Sequence, residues 1–320
     1  MAATGTGIDG ATNVSLTGTS GNLSNEVKTY YDKVFLTRAE WEMVLKEGGQ
    51  IRTHPVGEGR TVNFSRREAL TIITDPLGEA SNPVTCPANS CTVAMTLSEY
   101  GLTVNASKLV TLTGIDVNMK ETAESVGFNM GATLNRLVRA ELGNGTSYYG
   151  NNHNVATFTA GDTLDACDIR MIVRQLELNF APKYKDGMYI GKTEPYSKMN
   201  LLGDTAWINA KTYSDVKDLY KGEMGELYQV RWLLNKDVAS GTEATSTASS
   251  GVVRFYTYVH GMDAFGAYDL EGDKPKLYIL ANAVDTNSPV GRLSKVSWAG
   301  SYAAKILNSS WVLTCRFSAT

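Results

Sequence analysis

The stretch DVNMKETAESVGFNMGATLNRLVRAEL (residues 116–142) is the longest in the chain with a helical pattern. It contains no proline and ends at Gly143-Asn144-Gly145. Its apolar side chains recur every three or four residues, at Met119, Ala123, Val126, Met130, Leu134, Leu137 or Val138, and Leu142. At 1.5 Å per residue, about 27 residues form a rod of about 40 Å. Gly127 and Gly131 lie on one side of this rod, which predicts close helix packing there.

The chain before this helix begins with a polar segment. Residues 1–25 contain 16 Gly, Ser, Thr or Asn and a single charge, a composition that buries too little apolar surface to order itself. Ser24 then suits an N-cap, and an amphipathic pattern predicts one helix over residues 25–47. Its aromatic residues include Tyr30, Tyr31 and Trp41. We expect this helix to find its partner on another element or another subunit.

Between Thr61 and Asn105 the pattern changes to alternation, which predicts two long strands. The joining segment, residues 75–91, holds three of the eight prolines and is therefore neither helix nor central sheet. The result is a long hairpin. An isolated hairpin is marginal in water, so we expect it to lie on a neighbouring surface.

Two pairs of residues in this hairpin are candidates for contacts. Arg66 and Arg67, beside Glu68, form either a solvated face or a charge-paired contact across a subunit boundary. Cys86 and Cys91, in the tip CPANSC, are free thiols, a local disulfide, or an inter-subunit bond or metal site.

The remainder of the chain predicts mixed α/β structure. One helix is expected over residues 163–180, stopped by Pro182, and another over residues 214–220. Short strands are predicted at Met188–Ile190, Tyr228–Leu234, Val252–Val259, Lys276–Ala281 and Trp311–Phe317.

The composition excludes several classes of function. The 320 residues carry 30 Lys and Arg against 33 Asp and Glu, a net charge of −3, which argues against a dedicated DNA-binding protein. No apolar run approaches the roughly 18 to 20 residues that span a bilayer, so no membrane partner is expected. His54, His153 and His260 lack metal-ligand spacing and are predicted on the surface or in loops. Cys167 and Cys315 are predicted to be buried thiols.

Cofactor motifs are also missing. The G-x-G-x-x-G match at residues 5–10 has no room for a preceding strand and no helical pattern after it, and no P-loop sequence occurs. We therefore expect no cofactor, no metal and no catalytic residue.

Five stretches carry a family resemblance. They are LSNEVKTYYDKVFLTRAE (23–40), GEGRTVNFSR (57–66), LYKGEMGELYQVRWL (219–233), HGMDAFGAYDL (260–270) and SWAGSYAAKILNSSWVL (297–313). Together with the order of the predicted elements, they resemble the major capsid proteins of tailed phages, which have the Hong Kong 97 fold.

The resemblance implies an α+β chain with the divisions of that fold. These are an N-terminal arm and helix (1–45), an extended β-hairpin loop (46–107), a peripheral domain (108–185) with a spine helix (116–142), an axial domain (186–289), and a C-terminal segment (290–320) that returns to the subunit body.

The function that the resemblance implies is structural and not enzymatic. The chain would self-assemble into pentamers and hexamers that close the icosahedral head shell of a bacteriophage virion around double-stranded DNA, in the host cytoplasm. Scaffold, portal and decoration proteins, and non-specific contact with DNA, are the implied partners. The residues expected at subunit interfaces are Tyr30, Tyr31, Trp41, Arg66, Arg67, Cys86 and Cys91.

One departure from the family concerns covalent cross-linking. Some relatives join subunits by a Lys to Asn isopeptide bond whose Lys lies on the extended loop. This chain has no Lys between Lys46 and Lys108, so we predict a shell without that bond.

The sequence allows two alternatives to the phage capsid. One is an encapsulin-like bacterial compartment with the same fold. The other is a hydrolase that uses carboxylates such as Asp263 and Asp269, although neither is paired with a base or a metal in the sequence.

Overall fold

The computed structural model describes the chain in several ranges: residues 25–40, 43–55, 57–67, 70, 72–74, 76, 82–83, 85–87, 90–107, 118–153, 158–212, 225–237, 240–241, 253–271, 273–280 and 290–318. The predicted polar arm, Trp41 and the helix predicted over residues 214–220 lie outside the described residues.

The described helices are α1 (Asn25–Glu40), α2 (Asn118–Leu142), α3 (Ala166–Leu178), α4 (Pro195–Gly203) and α5 (Thr205–Thr212). The described strands are β1 (Gln50–His54), β2 (Thr61–Arg67), β3 (Ser90–Thr96), β4 (Ser98–Ser107), β5 (Thr146–Tyr149), β6 (Tyr189–Thr193), β7 (Glu226–Leu227), β8 (Val230–Leu234), β9 (Ser240–Gly241), β10 (Arg254–His260), β11 (Phe265–Leu270), β12 (Lys276–Leu280), β13 (Leu293–Ile306) and β14 (Val312–Ser318).

The long helix predicted over residues 116–142 is α2, and its apolar face is buried as the periodicity predicts. The buried residues are Ala123, Val126, Met130, Leu134, Val138 and Leu142. Helix α1 packs on α2. A Cβ atom placed on Gly127 would lie 2.6 Å from the carbonyl oxygen of Phe35 in α1. The prediction of close helix packing at Gly127 is therefore confirmed.

The first sheet lies against α2 and has five strands. Its order is β1-β11-β13-β12, in which β11 and β12 pair with successive parts of one edge of β13. Strand β4 pairs with the opposite edge of β13. Val296 and Trp298 of β13 are buried in the same core as the apolar face of α2. The Trp298 indole nitrogen donates to Oδ1 of Asn129, 3.1 Å away, so the helix and the sheet are joined by a hydrogen bond as well as by packing.

The second sheet has seven strands in the order β5-β14-β10-β6-β8-β7, with β9 added to β10. Its core is formed with α3, α4 and α5. The Asp165 side chain caps α3 by accepting from the Asp168 amide, and Glu194 caps α4, in which Pro195 takes the first position. β11 and β12, within the range 186–289, pair in the first sheet. The division into peripheral and axial domains remains a prediction.

Two element boundaries differ from the sequence prediction. The helix predicted over residues 25–47 is not continuous: α1 ends at Glu40, and a short 3-10 helix, Val44–Lys46, follows. The second hairpin strand breaks at Leu97, so that β3 pairs with β2 while β4 joins the first sheet. The Leu97 carbonyl accepts from the Arg60 side chain and its amide donates to the Arg60 carbonyl, which closes the hairpin at that point.

The remaining predicted elements agree within a few residues. The helix predicted over residues 163–180 is α3, and the five predicted short strands correspond to β6, β8, β10, β12 and β14. Helices α4 and α5 and strands β1, β5, β7, β9, β11 and β13 were not predicted, because each is short or lacks a clear helical or alternating pattern.

Candidate assembly surfaces

The predicted aromatic contact residues lie on α1. The Tyr30 side chain is 51% exposed and Tyr31 is half-buried, with their rings 5.5 Å apart at a near-perpendicular angle. An aromatic residue that stays half in water on a packed helix is typical of a contact surface. Their assignment to a subunit interface remains a prediction.

Three of the predicted hairpin residues, Arg66, Arg67 and Cys91, lie at the end of the β2–β3 ladder that leads into the joining segment. Arg66 is opposite Cys91 in the strand register, and Arg67 is opposite Ser90. Cys91 is exposed, Cys86 is half-buried, and both thiols are free. The structure thus brings Arg66 and Cys91 into register with each other, whereas Tyr30 and Tyr31 belong to a different element. Their role as interface residues also remains a prediction.

Beyond this ladder the chain exposes apolar side chains that the sequence reasoning did not single out. Ile72 is 86% exposed, and Leu70 and Ile73 are more than half exposed. Apolar residues grouped on a surface favour contact with another surface because the contact removes them from water. A run of polar and proline residues around them obscured this signal in the sequence.

An open groove of about 970 Å³ runs along α1 and α2. Tyr30 and Phe128 supply its aromatic side chains, and the Arg38 guanidinium lies 5.2 Å from the centre of the Phe128 ring. Lys120 and Glu124 form an ion pair of 3.8 Å in its wall. The groove therefore offers both apolar and charged contacts.

The segment between α1 and β1 is fastened to both sheets and to α2. We call residues 44–49 the strap. The Leu45 amide donates to Oδ1 of Asn135 in α2, at 2.9 Å, and the Leu45 carbonyl accepts from Nζ of Lys192 in β6, at 2.6 Å. Side chains of α2 and β6 thus satisfy both backbone groups of Leu45 in place of α-helical partners.

The far end of the strap is held by Tyr184 and His260. The Tyr184 hydroxyl lies within hydrogen-bond distance of the Gly48 and Gly261 carbonyl oxygens and of Nδ1 of His260. Gly48 has a φ of +79°, and a Cβ there would lie under 3 Å from Ile190, His260 and Tyr184. Only glycine fits both the backbone conformation and the space.

Burial sets the protonation of these groups. Lys192 is completely buried with its Nζ 4.7 Å from the centre of the Phe265 ring, and burial lowers its pKa to about 7. Burial also holds the pKa of His260 well below its usual value, and the positive charge of Lys192 lowers it further. Burial raises the pKa of Tyr184. The strap is therefore held by groups that are largely uncharged above neutral pH.

A polar chain links α2 to the end of β8. The Asn135 amide nitrogen donates to Oδ1 of Asn235, and Asn235 in turn bonds the backbone of Asp237. The Asp237 carboxylate accepts from Arg139 at 3.1 Å and from Arg136 at 3.3 Å. Through Asn135, the same network also reaches the strap.

The histidine and cysteine predictions are only partly correct. His153 lies in a loop, 2.9 Å from the Asp162 carboxylate, as predicted. His54 and His260 are buried in strands β1 and β10, and the prediction of surface positions for them is wrong. Cys315 is buried, whereas Cys167 is exposed because it lies on the solvent face of α3.

The carboxylates of the hydrolase alternative are not brought together. Asp263 lies in the turn before β11 and Asp269 near the far end of that strand. Among the residues that the structure describes, no group of three or more His, Cys, Asp or Glu side chains is arranged to hold a metal ion. No helix in the described ranges is long and apolar enough to cross a membrane.

Comparison with known proteins identifies the fold. No protein-family model matches the sequence, and no curated protein sequence does so either. Among solved structures, the capsid of Ralstonia phage GP4 superimposes with a TM-score of 0.67 at 13% identity, covering 87% of this chain and 88% of that one. The capsid asymmetric unit of cyanophage Pam1 gives a TM-score of 0.66 at 15% identity, covering 87% and 92%.

A third capsid structure, the acid-stable capsid of Helicobacter pylori bacteriophage KHP30, matches with a TM-score of 0.61 at 13% identity, covering 85% of this chain and 88% of that one. The chain therefore has the fold of tailed-phage capsid subunits, the Hong Kong 97-like fold, and the predicted α+β fold class is confirmed.

Proposed function

We propose that this chain is a major capsid protein that self-assembles into pentamers and hexamers and forms the icosahedral head shell of a tailed bacteriophage. The observation that carries the proposal is the match of the whole fold, over about 87% of the chain, to subunits of phage capsids. The sequence stretches that resemble capsid proteins support it independently, since they are spread over nearly the whole chain.

The exposed surfaces fit this function. A shell subunit needs contacts on several sides, each of modest strength, because many contacts act together in a closed lattice. The apolar residues beyond the β2–β3 ladder and the α1–α2 groove are two such surfaces on different parts of the molecule. In this proposal residues 46–107 are the extended loop and residues 1–45 are the N-terminal arm and helix. The polar segment before α1 would overlap a neighbouring subunit, while α1 itself packs on α2 of its own chain.

The implied partners follow from the same proposal. The shell would assemble in the host cytoplasm with scaffold, portal and decoration proteins and would contact packaged double-stranded DNA without sequence preference. A net charge of −3 suits a shell that encloses DNA without binding it tightly, since strongly basic surfaces bind phosphate tightly at low salt.

Electron microscopy of the purified full chain, expressed alone and with its scaffold, tests the function. We expect closed icosahedral shells with five-fold and six-fold capsomers. Particles from infected cells should contain DNA, whereas a bacterial compartment would contain a cargo enzyme. A chain that stayed monomeric under all of these conditions would refute the proposal.

The cross-link is tested separately. Because no Lys lies between Lys46 and Lys108, mature particles should run as single subunits on a reducing denaturing gel. A ladder of covalent oligomers under those conditions would contradict this prediction and show that another residue of the chain forms a covalent bond between subunits.

A further inference from the structure

Helix α3 carries two arginines on its solvent face that have no counter-charge. Arg170 and Arg174 are both exposed and lie one helical turn apart, so they project from the same face. No carboxylate among the described residues lies within ion-pair distance of either. Glu177, further along the same helix, is already paired with Lys183 at 2.8 Å. Two positive charges are thus left without a partner in the described part of a chain whose net charge is −3.

The two arginines line a cleft between α3 and the turn that joins β7 to β8. The cleft has a volume of about 310 Å³, and its other lining residues are Val173, Glu177, Tyr228 and Gln229. The Arg170 guanidinium lies 5.7 Å from the centre of the Tyr228 ring, within reach of a cation–π contact. Lys183 donates to Gln229 as well as to Glu177, which ties the end of α3 to the turn. Contacts between its two walls therefore fix the shape of the cleft.

The turn places an aromatic ring where the backbone disfavours one. Tyr228 and Gln229 are the two central residues of a tight hairpin, with φ of +48° and +63°. Such a turn favours Asn-Gly. The Tyr228 side chain is 41% exposed, so packing in the core does not account for a tyrosine at this position. Strained residues of this kind cluster at binding sites.

Apolar side chains also stay in water at this end of α3. Leu178 follows Arg174 by one helical turn and is 62% exposed. Phe180, just after the helix, has φ of +51° and is 88% exposed. Exposed apolar side chains gain from contact with another protein surface, whereas the phosphate and sugar groups of a nucleic-acid backbone offer them little to pack against. These residues favour a protein over a nucleic acid as the partner.

The size and the lining of the cleft limit what can enter it. A volume of about 310 Å³ is at the lower end of ligand cavities, which leaves room for one or two side chains. Its unpaired groups are guanidinium forks, which match the two oxygens of a carboxylate. The Tyr228 ring adds an apolar surface beside them. A peptide segment that carries carboxylates around one apolar residue satisfies both kinds of surface.

We infer that the cleft between α3 and the β7–β8 turn docks an acidic segment of a partner protein, with carboxylates on Arg170 and Arg174 and an apolar side chain against Tyr228. The contact rests on the proposed shell function and gives the chemistry of one assembly partner. Arginine and tyrosine are the residues most often found at the energetic centre of such contacts.

Binding of a labelled acidic peptide to the dissociated subunit tests the charges. The probe is the peptide EDLEEFED, and its control is QNLQQFQN, which keeps the apolar residues and lacks the carboxylates. We expect saturable binding of the acidic peptide, weakened about threefold by Arg170→Gln or Arg174→Gln and about tenfold by both changes together. Arg136→Gln is the matched control, because Arg136 is an exposed arginine beside Asp237, beyond the other end of β8. It should leave binding unchanged.

Tyr228→Asn separates recognition from folding. Asparagine tolerates the left-handed backbone, so the midpoint of thermal unfolding should stay the same or rise by up to about 3 °C. Binding of the acidic peptide should weaken about threefold or more, because Arg170 loses the ring beside it and the cleft loses its apolar wall. Tyr278→Asn is the control at a tyrosine of similar exposure, 43%, in the first sheet. It should leave binding of the peptide unchanged.

Photo-cross-linking identifies the partner in assembled particles. Tyr228 is replaced by p-benzoylphenylalanine, and particles assembled with the scaffold are irradiated and digested. We expect a link from residue 228 to a peptide of another protein that is rich in Asp and Glu. The link should be lost when Arg170→Gln and Arg174→Gln are added.

Several outcomes would overturn the inference while leaving the shell function intact. They are equal binding of the acidic and amide peptides, unchanged binding by the double arginine variant, and shells in which residue 228 forms no link or links only to a second copy of this chain. Binding of a short duplex DNA in place of the acidic peptide would also overturn it. Failure of the unmodified chain to form shells would count against the shell function itself, and peptide binding to the subunit would still decide the specificity of the cleft.

Discussion

The side-chain nitrogen of Lys192 lies 2.6 Å from the carbonyl oxygen of Leu45, and Lys192 has no exposed surface. Lys192 belongs to the second sheet, whereas Leu45 lies in the strap that leads from α1 into the first sheet. The bond therefore crosses the junction between the two sheets. A buried amine with one carbonyl partner is costly to charge, so the stability of this junction depends on pH.

We expect Lys192→Met to remove a pH dependence of stability between about pH 7 and the model-peptide value of 10.5. The folded chain releases the Lys192 proton near pH 7, while the unfolded chain keeps it to higher pH. The unfolded state thus binds more protons in this window, and the unmodified chain gains stability as pH rises, by at most about 1.4 kcal/mol per pH unit. Urea unfolding at half-unit pH steps measures the slope.

Other groups titrate in the same window, so the informative quantity is the difference between the two proteins. Lys192→Met also leaves the Leu45 carbonyl without a donor, which lowers its stability by a constant amount. Parallel curves for the two proteins over the whole window would contradict the prediction.

Asn135→Ala should lower the free energy of unfolding by about 1 to 3 kcal/mol, because it leaves the buried Leu45 amide without an acceptor and removes one of the two donors to Asn235 Oδ1. Hydrogen exchange at the Leu45 amide should accelerate. Arg136→Ala is the control on the same helix: its side chain is 65% exposed, so its loss should cost under about 1 kcal/mol. Equal effects of the two changes would argue against the fastening role of Asn135.

Gly127→Ala should destabilise the packing of α1 on α2 by about 1 to 3 kcal/mol, because the new Cβ would lie 2.6 Å from the Phe35 carbonyl oxygen. Gly203→Ala is a matched control at the end of α4, where a Cβ meets nothing within 4 Å. Its stability should change by no more than about 1 kcal/mol. Urea unfolding measures both, and a neutral Gly127→Ala would mean that α1 shifts without cost.

The four thiols should react in an order set by exposure. Cys91 and Cys167 are exposed and should be alkylated first, followed by the half-buried Cys86. Cys315 is completely buried, and burial raises the pKa of its thiol, so it should react only after unfolding. Mass spectrometry of peptides after timed alkylation measures the order. Rapid labelling of Cys315 in the folded subunit would contradict the burial of β14.

The predictions that rest on long periodic patterns were the most reliable. The apolar face of α2 was predicted residue by residue from Ala123 to Leu142, because a helix that packs on one side must repeat its apolar residues at that spacing. The alternation in β2 and β3 predicted the hairpin for the same reason. β13 was missed although it is the longest strand, since both of its faces are partly buried and its small residues blur the alternation.

Sequence patterns could not predict the junction between the two sheets or the exposure of Phe180. Lys192, Tyr184 and His260 were not predicted to act together, and nothing local marks a lysine as buried, since it is stabilised by a carbonyl 147 residues away. Phe180 looks like the last apolar residue of a helix in the sequence, whereas its exposure depends on the left-handed turn that follows α3.

The sequence by itself therefore determined the elements whose patterns are local, namely α2, α3, the hairpin and five of the shorter strands. Tertiary structure alone decided where α1 ends, which sheet each strand joins, and which polar residues are buried. The physical reason is that helix and strand periodicity depends on neighbouring residues, whereas the partners of Leu45, Lys192 and Asn135 lie far apart in the chain and meet only when both sheets are formed.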